Sequence, residues 1–528
     1  MSGEIILDGE QLKPETVEQV ARHGKQVEMA EEALDRVRES RERVEEIIES
    51  GETVYGINTG FGEMANTRVQ GDRLEELQHN LIRSHAAGMG RELEREEIRA
   101  MLVCRLNSLL KGYSGVRERT VELLAAMLNR GVHPVVKAKG SLGASGDLCP
   151  LAHATLAMIG EGEAVYEGDR LEGGEALERA GLEPLNLAAK EGLALINGTS
   201  LTVGLAALTV TDAERALTTA DIATGLTTEV TMSTTAACDP KLQEVRPHDG
   251  QSISAANIRH LTAESEIIES HKDCDRVQDS YSIRCFPQVH GAVRDAVRHL
   301  RDAVEVELNS ATDNPLIFDN EAVDDRARGT ENAAALSGGN FHGAHLALRL
   351  DYVTNALTEL AAISERRIDR MLNPNLQEEH LPPFLASEEG LNSGYMIAQY
   401  TAASLINENR ATSRASMDNI PVSGGQEDHV SMSAQSVYDA RKAVQNAVRV
   451  VGIELLCGCQ AAEHIDDSLA HGIGTGAAYR AVRKRIPPLT EDRPLHEEME
   501  DISRLVRRGV IASAVGERLA EYGYELQD

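Results

Sequence analysis

Long helices are the strongest constraint that this sequence places on its fold. Apolar residues recur every three to four positions over residues 293–308 and again over 346–360, and a third helical pattern covers 436–465. The second pattern runs into Asn373-Pro374, where the proline should end the helix. Several helices of this length predict a long bundle.

The composition agrees with a helical core. Aromatic residues make up 3% of the chain and tryptophan is absent, so the core must be built from Ala, Leu, Val and Ile. The clearest strand signal is a hairpin pattern over residues 162–173. We therefore predict an all-α chain. A smaller, mostly helical N-terminal domain covers residues 1–198, and a long helix bundle with a C-terminal helical segment covers 199–528.

The charge excludes one class of partner. The chain carries 85 acidic and 53 basic residues, a formal net charge of −32, whereas nucleic-acid binding needs a basic surface. The acids are spread along helical stretches, which indicates a solvated surface. Such an acidic, lysine-poor surface suits a high-salt cytoplasm, where screening weakens self-repulsion.

The cysteines and the N-terminus favour a cytoplasmic protein that neither binds metal nor enters a membrane. The chain has no basic-then-apolar signal at its start. The charge-free run over residues 192–211 has membrane-spanning length, but Asn197-Gly198 interrupts it, so we expect a buried helix instead. Seven cysteines without disulfide or zinc spacing indicate reduced core thiols; they are residues 104, 149, 238, 274, 285, 457 and 459.

Glycine-rich loops interrupt the helices, and one of them, GSLGASGDLCP over residues 140–150, raises a chemical question. A phosphate-binding loop would end in Gly-Lys-Ser/Thr within a βαβ unit, whereas this loop ends in Gly146-Asp147, and the carboxylate would repel a phosphate. A pyridoxal phosphate site with Lys139 as the Schiff base is a second reading. The all-helical pattern speaks against it.

A third reading of the loop is covalent self-modification. The nitrogen of Gly146 can attack the carbonyl carbon of Ala144, an approach that a side chain at Gly146 would block. Loss of water then converts Ser145 to a dehydroalanine. The product is 4-methylidene-imidazol-5-one (MIO), an electrophile made entirely from the backbone.

The context of this tripeptide carries a family resemblance. The segment GSLGASGDLCPLAHAT resembles the prosthetic-group signature of the aromatic amino-acid ammonia-lyases, and seven further segments match that family in order. The resemblance implies a helical fold, an MIO group formed from Ala144, Ser145 and Gly146 with no external cofactor, and a homotetramer whose active sites are built from three subunits. The seven segments are YGINTGFG, RSHAAG, INGTS, QDSYSIRCFPQVHG, NSATDNPL, GGNFHG and QEDHVSM.

Two positions bear on the substrate. Ser84-His85 resembles the histidine-specific members of the family, since members that act on phenylalanine or tyrosine carry Phe-Leu or His-Leu there, and Glu427 resembles the same members. An imidazole ring has two nitrogens that need hydrogen-bond partners, and His85 and Glu427 could supply them. The resemblance thus implies removal of ammonia from L-histidine to give trans-urocanate. A phenylalanine or tyrosine ammonia-lyase, an aminomutase and a non-catalytic acidic oligomer are the alternatives.

The resemblance also implies roles for residues around the electrophile. Tyr55 matches the proposed base for the β-hydrogen. Arg284 matches the carboxylate clamp, for which its planar fork is suited. Tyr281 is placed beside the prosthetic group and Gln278 near the substrate. On a helix, their spacing would put Gln278, Tyr281 and Arg284 on one face.

Three further residues complete the implied site. Asn197 resembles the residue that hydrogen-bonds the electrophile, and Phe341 resembles the ring that packs against it. Glu427 is expected to contact the imidazole and to assist proton transfer. Whether the electrophile takes the amine or the ring of the substrate stays open.

Overall fold

The computed structural model describes residues 4–59, 73–324, 326–388 and 390–527. Packing divides the chain into two compact units. The first comprises Met1–Leu208, Leu300–Asp351 and Arg414–Tyr438, and the second comprises Thr209–His299, Tyr352–Ser413 and Asp439–Asp528. Each unit is therefore assembled from separated stretches of sequence. The two-domain division at residue 198 remains a prediction.

Helices dominate both units, which confirms the predicted fold class. Eight helices lie in the first unit: α1 (Pro14–Ala21), α2 (Glu31–Ser50), α3 (Leu74–His85), α4 (Arg95–Leu110), α5 (Glu118–Arg130), α6 (Leu148–Met158), α7 (Gly173–Arg179) and α8 (Glu191–Ile196). The remaining helices are α9 (Ser200–Val230), α10 (Pro240–Glu244), α11 (Asp249–Leu261), α12 (Glu266–Ser270), α13 (Tyr281–Arg284), α14 (Phe286–Leu308), α15 (Ala344–Leu372), α16 (Met396–Arg410), α17 (Ser433–Ala462), α18 (Ile473–Arg483), α19 (His496–Arg507) and α20 (Val510–Ala520).

The strands are short and pair only into small sheets. The predicted hairpin is β6 with β7, which β4 extends to a three-stranded antiparallel sheet. The other sheets are the parallel pair β1–β2, the antiparallel pair β3–β5 and the antiparallel sheet β8-β10-β9. The strands are β1 (Ile5–Leu7), β2 (Val27–Met29), β3 (Met89–Glu92), β4 (His133–Pro134), β5 (Lys137–Lys139), β6 (Glu163–Tyr166), β7 (Asp169–Glu172), β8 (Leu316–Asp319), β9 (Arg328–Gly329) and β10 (Ala333–Leu336).

The predicted long helices are confirmed as α14, α15 and α17. Helix α15 ends at Leu372, immediately before Asn373-Pro374, because the proline disfavours helical geometry in the residue before it. The charge-free run forms α8, a turn at Asn197-Gly198 and the start of α9. Among the described residues, no helix combines the length and the apolar character needed to cross a membrane.

Helix α9 explains how a helix with many hydroxyls can be buried. The hydroxyls of Thr224 and Thr228, and that of Thr231 just after the helix end, each donate to the carbonyl four residues earlier at 2.7 Å, so none of them is left without a partner in the interior. The helix therefore packs like an apolar one.

The cysteines follow the expectation with one exception. All seven are free, five are buried and Cys285 is half-buried. Cys274 is exposed, so the prediction that every thiol lies in the core is wrong at this position. It precedes α13 in a stretch where the chain lacks the apolar residues that would bury it.

Candidate active site

A cavity of about 830 Å³ within the first unit collects six of the predicted site residues. They come from six separate stretches of sequence, which only the fold brings together. The six are Tyr55, His85, Ser145, Asn197, Phe341 and Glu427. The other lining residues are Leu77, Asn80, Leu81, Ser84, Leu148, Leu193, Asn314, Ser337, Gly338, Val422, Ser423 and Gln426.

The Ala144-Ser145-Gly146 tripeptide forms a tight turn at the wall of this cavity. The N–H of Gly146 donates to the carbonyl of Gly143 at 3.3 Å, and Ser145 has a φ of 54°, which is unusual for a residue with a side chain. Ala144 and Gly146 are buried, while Ser145 is half-buried and lines the cavity. The turn therefore folds the backbone back on itself and presents the serine.

Glycine is required at position 146 by its neighbours. A Cβ atom built there would lie 2.2 Å from the carbonyl oxygen of Gly198, and the φ of +80° disfavours any side chain. The backbone of Gly198 brackets the turn, since its N–H donates to Ser145 at 3.2 Å and its carbonyl accepts from Asp147 at 2.7 Å. The INGTS loop thus fixes the geometry of the tripeptide.

The side chain of Asp147 holds the tripeptide turn in place. Its fully buried carboxylate accepts from the backbone N–H of Thr202 at 2.8 Å, the Thr202 hydroxyl at 3.0 Å and the Ser141 hydroxyl at 3.4 Å. Burial raises the pKa of Asp147 to about 6, and these hydrogen bonds oppose that rise. The tripeptide is therefore tied to the start of α9.

Asn197 presents an acceptor that nothing in the described chain satisfies. Its side chain donates from Nδ2 to the carbonyl of Asn314 at 2.9 Å, and its buried Oδ1 has no hydrogen-bond partner among the described residues. Because a carbonyl can only accept, this contact fixes which end of the amide carries the hydrogens. An unsatisfied buried acceptor is costly unless a ligand or modified group completes it.

Two residues that hold Asn197 were not singled out from the sequence. Arg105 is fully buried and donates from Nη1 to the carbonyl of Asn197 at 2.7 Å and from Nη2 to the carbonyl of Ala194. Asn314 accepts from the N–H of Gly338 at 2.7 Å as well as from Asn197. The sequence signal that could have identified Arg105 was an arginine inside the apolar run of α4. Asn314 lies in the NSATDNPL segment, which the family resemblance had already marked.

Tyr55 is positioned by an apolar anchor on each side. Val54 and Ile57 are buried in a cluster with side chains of α2 and β8, and Asn58 accepts from the N–H of Val54 at 2.9 Å. Gly56, with a φ of +76°, permits the turn between the anchors. Tyr55 therefore reaches the cavity from a well-packed turn. The remainder of its loop, residues 60–63, lies outside the described residues.

His85 is the last residue of α3 and is held by the end of that helix. Its Nδ1 lies 2.8 Å from the carbonyl oxygen of Leu81 and 3.1 Å from the hydroxyl of Ser84. The ring is half-buried at the cavity wall. The Ser84-His85 pair thus acts as one unit, with the serine supporting the orientation of the imidazole.

Glu427 closes a tight loop on another wall. Val422 donates to the carbonyl of Glu427 at 3.1 Å, and Asn419 spans the next residues by donating to Asp428 at 2.6 Å and accepting from Val430 at 2.8 Å. Burial raises the pKa of the Glu427 carboxyl, while the charge of His85 acts in the opposite direction.

Phe341 is carried by a loop that is fixed at both ends. At one end Asn314 accepts from Gly338, and at the other Gly343 packs so closely that a Cβ would lie 2.5 Å from the Ser433 hydroxyl. The half-buried ring of Phe341 faces the cavity between these attachments. It supplies an apolar surface to the cavity that Ser145 also lines.

The other three predicted residues belong to the second unit. Tyr281 and Arg284 lie on the single-turn helix α13, with the guanidinium carbon 4.6 Å from the tyrosine ring centre. Gln278 is exposed and precedes the helix, so the prediction that all three share one helix face is wrong for Gln278. Helix formation starts only after Ser280.

Comparisons with known proteins show which family this chain resembles in sequence and fold. The family model of the aromatic amino acid lyases matches residues 12–484. A probable histidine ammonia-lyase of Halobacterium salinarum is 59% identical, with 98% of each chain covered. The structure of histidine ammonia-lyase from Trypanosoma cruzi matches with a TM-score of 0.88 and 39% identity, covering 97% of this chain and 95% of that one. A tyrosine aminomutase from Streptomyces globisporus matches with a TM-score of 0.90 and 37% identity, covering 98% and 99%.

Proposed function

The chain belongs to the aromatic amino acid lyase family, and we propose that it removes ammonia from L-histidine and releases trans-urocanate. The observation that carries the proposal is the shared cavity. There a strained Ser145 turn, an unsatisfied Asn197 acceptor and the polar pair His85 and Glu427 line one space. A histidine ring has polar nitrogens that require such partners, which an entirely apolar pocket would not offer.

The residues around the tripeptide fit an MIO group. The missing Cβ atom at Gly146 leaves its nitrogen unhindered, and the positive φ of Ser145 describes a turn already folded toward ring closure. A Cβ atom at Gly143 would likewise overlap the Ser431 hydroxyl, so the glycine lets this loop lie close to Ser431. Such a group, formed from Ala144, Ser145 and Gly146, would supply the electrophile that makes ammonia a better leaving group.

The remaining side chains would hold the substrate and move its protons. Tyr55 would take the β-hydrogen, a role that requires it to lose its own proton first. The Oδ1 of Asn197 would accept a hydrogen bond from the amine of the substrate. Phe341 would pack against the turn, and His85 and Glu427 would bind the imidazole ring.

A second subunit would complete each site. The substrate carries a carboxylate, yet the cavity has no arginine or lysine among its described lining residues. Arg284 and Tyr281 lie together on α13, where the tyrosine is 70% exposed, and Gln278 is exposed beside them. We infer that these three residues serve the cavity of a neighbouring copy in a homotetramer, where Arg284 clamps the carboxylate. The free cysteines fit a reducing compartment, so we place the assembly in the cytoplasm.

The experiment that tests the function is direct. Purified protein is incubated with L-histidine while the near-ultraviolet absorbance of urocanate is recorded, and Ser145→Ala serves as the control because it cannot form a dehydroalanine. Urocanate release by the wild type and none by the variant supports the proposal.

The same assay separates the alternatives. Phenylalanine or tyrosine in place of histidine would yield the corresponding cinnamate product in a lyase of different specificity. An aminomutase would return a β-amino acid without the absorbance of urocanate, which amino-acid analysis detects. Turnover of phenylalanine or tyrosine in preference to histidine contradicts the proposed substrate.

A further inference from the structure

A buried polar network lies within the second unit, and none of its members is among the residues that line the cavity. Its described members are Asp221 and Thr227 on α9, Asn257 on α11, His290 and Arg294 on α14, Ser364 and Arg367 on α15, and Glu454 on α17. Replacing buried ion pairs by apolar side chains is often neutral or stabilising, so stability alone does not account for such a network.

Arg367 is held in this network by a fork-shaped ion pair. Its Nε and Nη2 atoms donate to the two carboxylate oxygens of Glu454 at 2.5 Å and 2.9 Å. The same carboxylate accepts from the hydroxyls of Thr227 at 3.1 Å and Ser364 at 2.6 Å. The plane and the direction of the guanidinium group are therefore fixed.

His290 is a second partner of this guanidinium group. Its Nε2 atom lies 3.4 Å from Nη2 of Arg367, and because an arginine can only donate, the other ring nitrogen carries the hydrogen. That nitrogen, Nδ1, donates to Asp221 at 2.7 Å, and Asp221 also accepts from Arg294 at 3.0 Å. Burial lowers the pKa of His290, so the ring is neutral and the two carboxylates of the network balance its two guanidinium groups.

The third nitrogen of Arg367 reaches α13, the helix that carries Tyr281 and Arg284. This nitrogen, Nη1, donates to the carbonyl oxygen of Ser282 at 3.3 Å. The helix has four residues, too few to be stable through its own hydrogen bonds. Its position therefore depends on contacts such as this one and on the buried side chain of Ile283.

Arg284 has a donor that nothing in the described chain uses. Its Nε–H is buried and has no hydrogen-bond partner among the described residues. A carboxylate that binds the Nε–H together with a terminal N–H of the same guanidinium group would satisfy it. Because such two-point binding needs a defined geometry, a shift of the α13 backbone would weaken it.

We propose that Arg367 is a positioning residue for the carboxylate clamp, because its contact with Ser282 fixes the place at which α13 presents Arg284. Arg367 itself does not touch the substrate. The inference rests on the proposed function, in which Arg284 binds the carboxylate of histidine in a neighbouring copy. Loss of Arg367 should therefore weaken recognition of the carboxylate more than binding of the rest of the substrate.

The test measures how strongly the protein prefers a carboxylate. Imidazole-4-propionate and its amide share the ring and the chain length and lack the α-amine, so neither undergoes the elimination, and they differ in the charge that Arg284 would bind. Calorimetry on the purified full-length protein gives the Kd of each ligand. In the wild type we expect the acid to bind at least about tenfold more tightly than the amide, since charge-assisted hydrogen bonds are the stronger ones.

Arg367→Lys keeps a positive charge beside Glu454 but lacks the fork that also reaches Ser282. The preference for the acid should fall to about threefold or less, while the Kd of the amide stays within about threefold of the wild-type value. Circular dichroism shows whether the variant is folded. Where Arg367→Lys does not fold, Arg367→Gln combined with Glu454→Gln provides the same measurement, because it removes both buried charges together.

Arg483 supplies a matched control in the same unit. It pairs with Glu463 at 2.8 Å and donates to the carbonyl of Ile486 at 3.3 Å, so it also joins one carboxylate to one backbone carbonyl, but neither lies on α13. Arg483→Lys should keep the preference within about twofold of the wild type. In an Arg284→Lys background, Arg367→Lys should change the preference by about twofold at most, because both residues act through one contact.

Three results overturn the positioning role. They are an unchanged preference in the Arg367 variants, an equal weakening of the acid and the amide, and an undiminished effect of Arg367→Lys in the Arg284→Lys background. Each of them leaves the proposed function intact where the wild type releases urocanate and binds the acid more tightly. Equal binding of the acid and the amide by the wild type instead contradicts the clamp within the proposed function, and overturns the inference with it.

Discussion

Arg105→Met should separate the support of the active site from the support of the fold. The guanidinium donates to the buried carbonyls of Asn197 and Ala194, and methionine keeps the bulk while removing both donors. Each carbonyl left unsatisfied costs about 1–3 kcal/mol, and removal of a buried charge offsets part of that sum. We expect a net loss of about 2–4 kcal/mol in the free energy of unfolding.

The same substitution should reduce catalysis. Without Arg105, Asn197 keeps its hydrogen bonds to the carbonyls of Asn314 and Leu193, but its own carbonyl loses its donor, and the loop that brackets Gly146 is freer to shift. A displacement of about 1 Å in a reacting group lowers the rate by about 10²-fold. We therefore expect kcat/KM for histidine to fall by between tenfold and a hundredfold, on the order given by that displacement.

Arg99 provides a matched control on the same helix. It is also fully buried, and it donates to the carbonyls of Val20 and Leu128 at 2.8 Å each. Arg99→Met should lose a similar unfolding free energy in urea titrations. It should keep kcat/KM within about twofold, because neither Val20 nor Leu128 lines the cavity. Equal losses of kcat/KM in both variants, or an unchanged value in Arg105→Met, would refute the positioning role.

Three further predictions concern the site directly. Gly146→Ala should abolish urocanate release and leave the chain at the full mass of its own sequence, without loss of water, since its Cβ would overlap the Gly198 carbonyl at 2.2 Å; retained turnover contradicts this. Arg284→Lys should lower kcat/KM far more than the same change at Arg326, whose side chain is 81% exposed, because lysine lacks the planar fork; equal effects would remove the clamp. Burial raises the pKa of Glu427, so its carboxylate is present above that pKa and lost as pH falls through it. The acid limb of kcat/KM should therefore lie above the usual glutamate range and vanish in Glu427→Gln; an unchanged limb in that variant contradicts the assignment.

Most of the fold could be predicted from the helical periodicity of the apolar residues. Helices α14, α15 and α17 follow from spacing alone, and the proline at 374 marked the end of α15 within one residue. It was the family resemblance, and no local pattern, that implied that the glycine loops contribute residues to one site. Glycines at 143 and 146 are required by close approaches of other loops, which only a compact arrangement of those segments creates.

The features of the site that were not predicted from the sequence depend on contacts between residues far apart in the chain. Arg105 donates to the backbone carbonyls of Asn197 and Ala194, and Asn314 accepts from the side chain of Asn197 and the N–H of Gly338. All these partners are distant in sequence, so no local pattern predicts them. Gln278 lies at helical spacing from Tyr281, yet the chain is irregular up to Ser280 because helix α13 has only one turn. Spacing predicts a shared face only where a helix exists.

The central claim is the ring formed from residues 144–146, and the mass of the peptide that contains it tests this claim most directly. Protease digestion of protein with measured histidine turnover, followed by mass spectrometry, should find this peptide lighter by two water molecules, one from ring closure and one from Ser145. The same peptide at its unmodified mass, in protein that releases urocanate at full rate, would contradict the account.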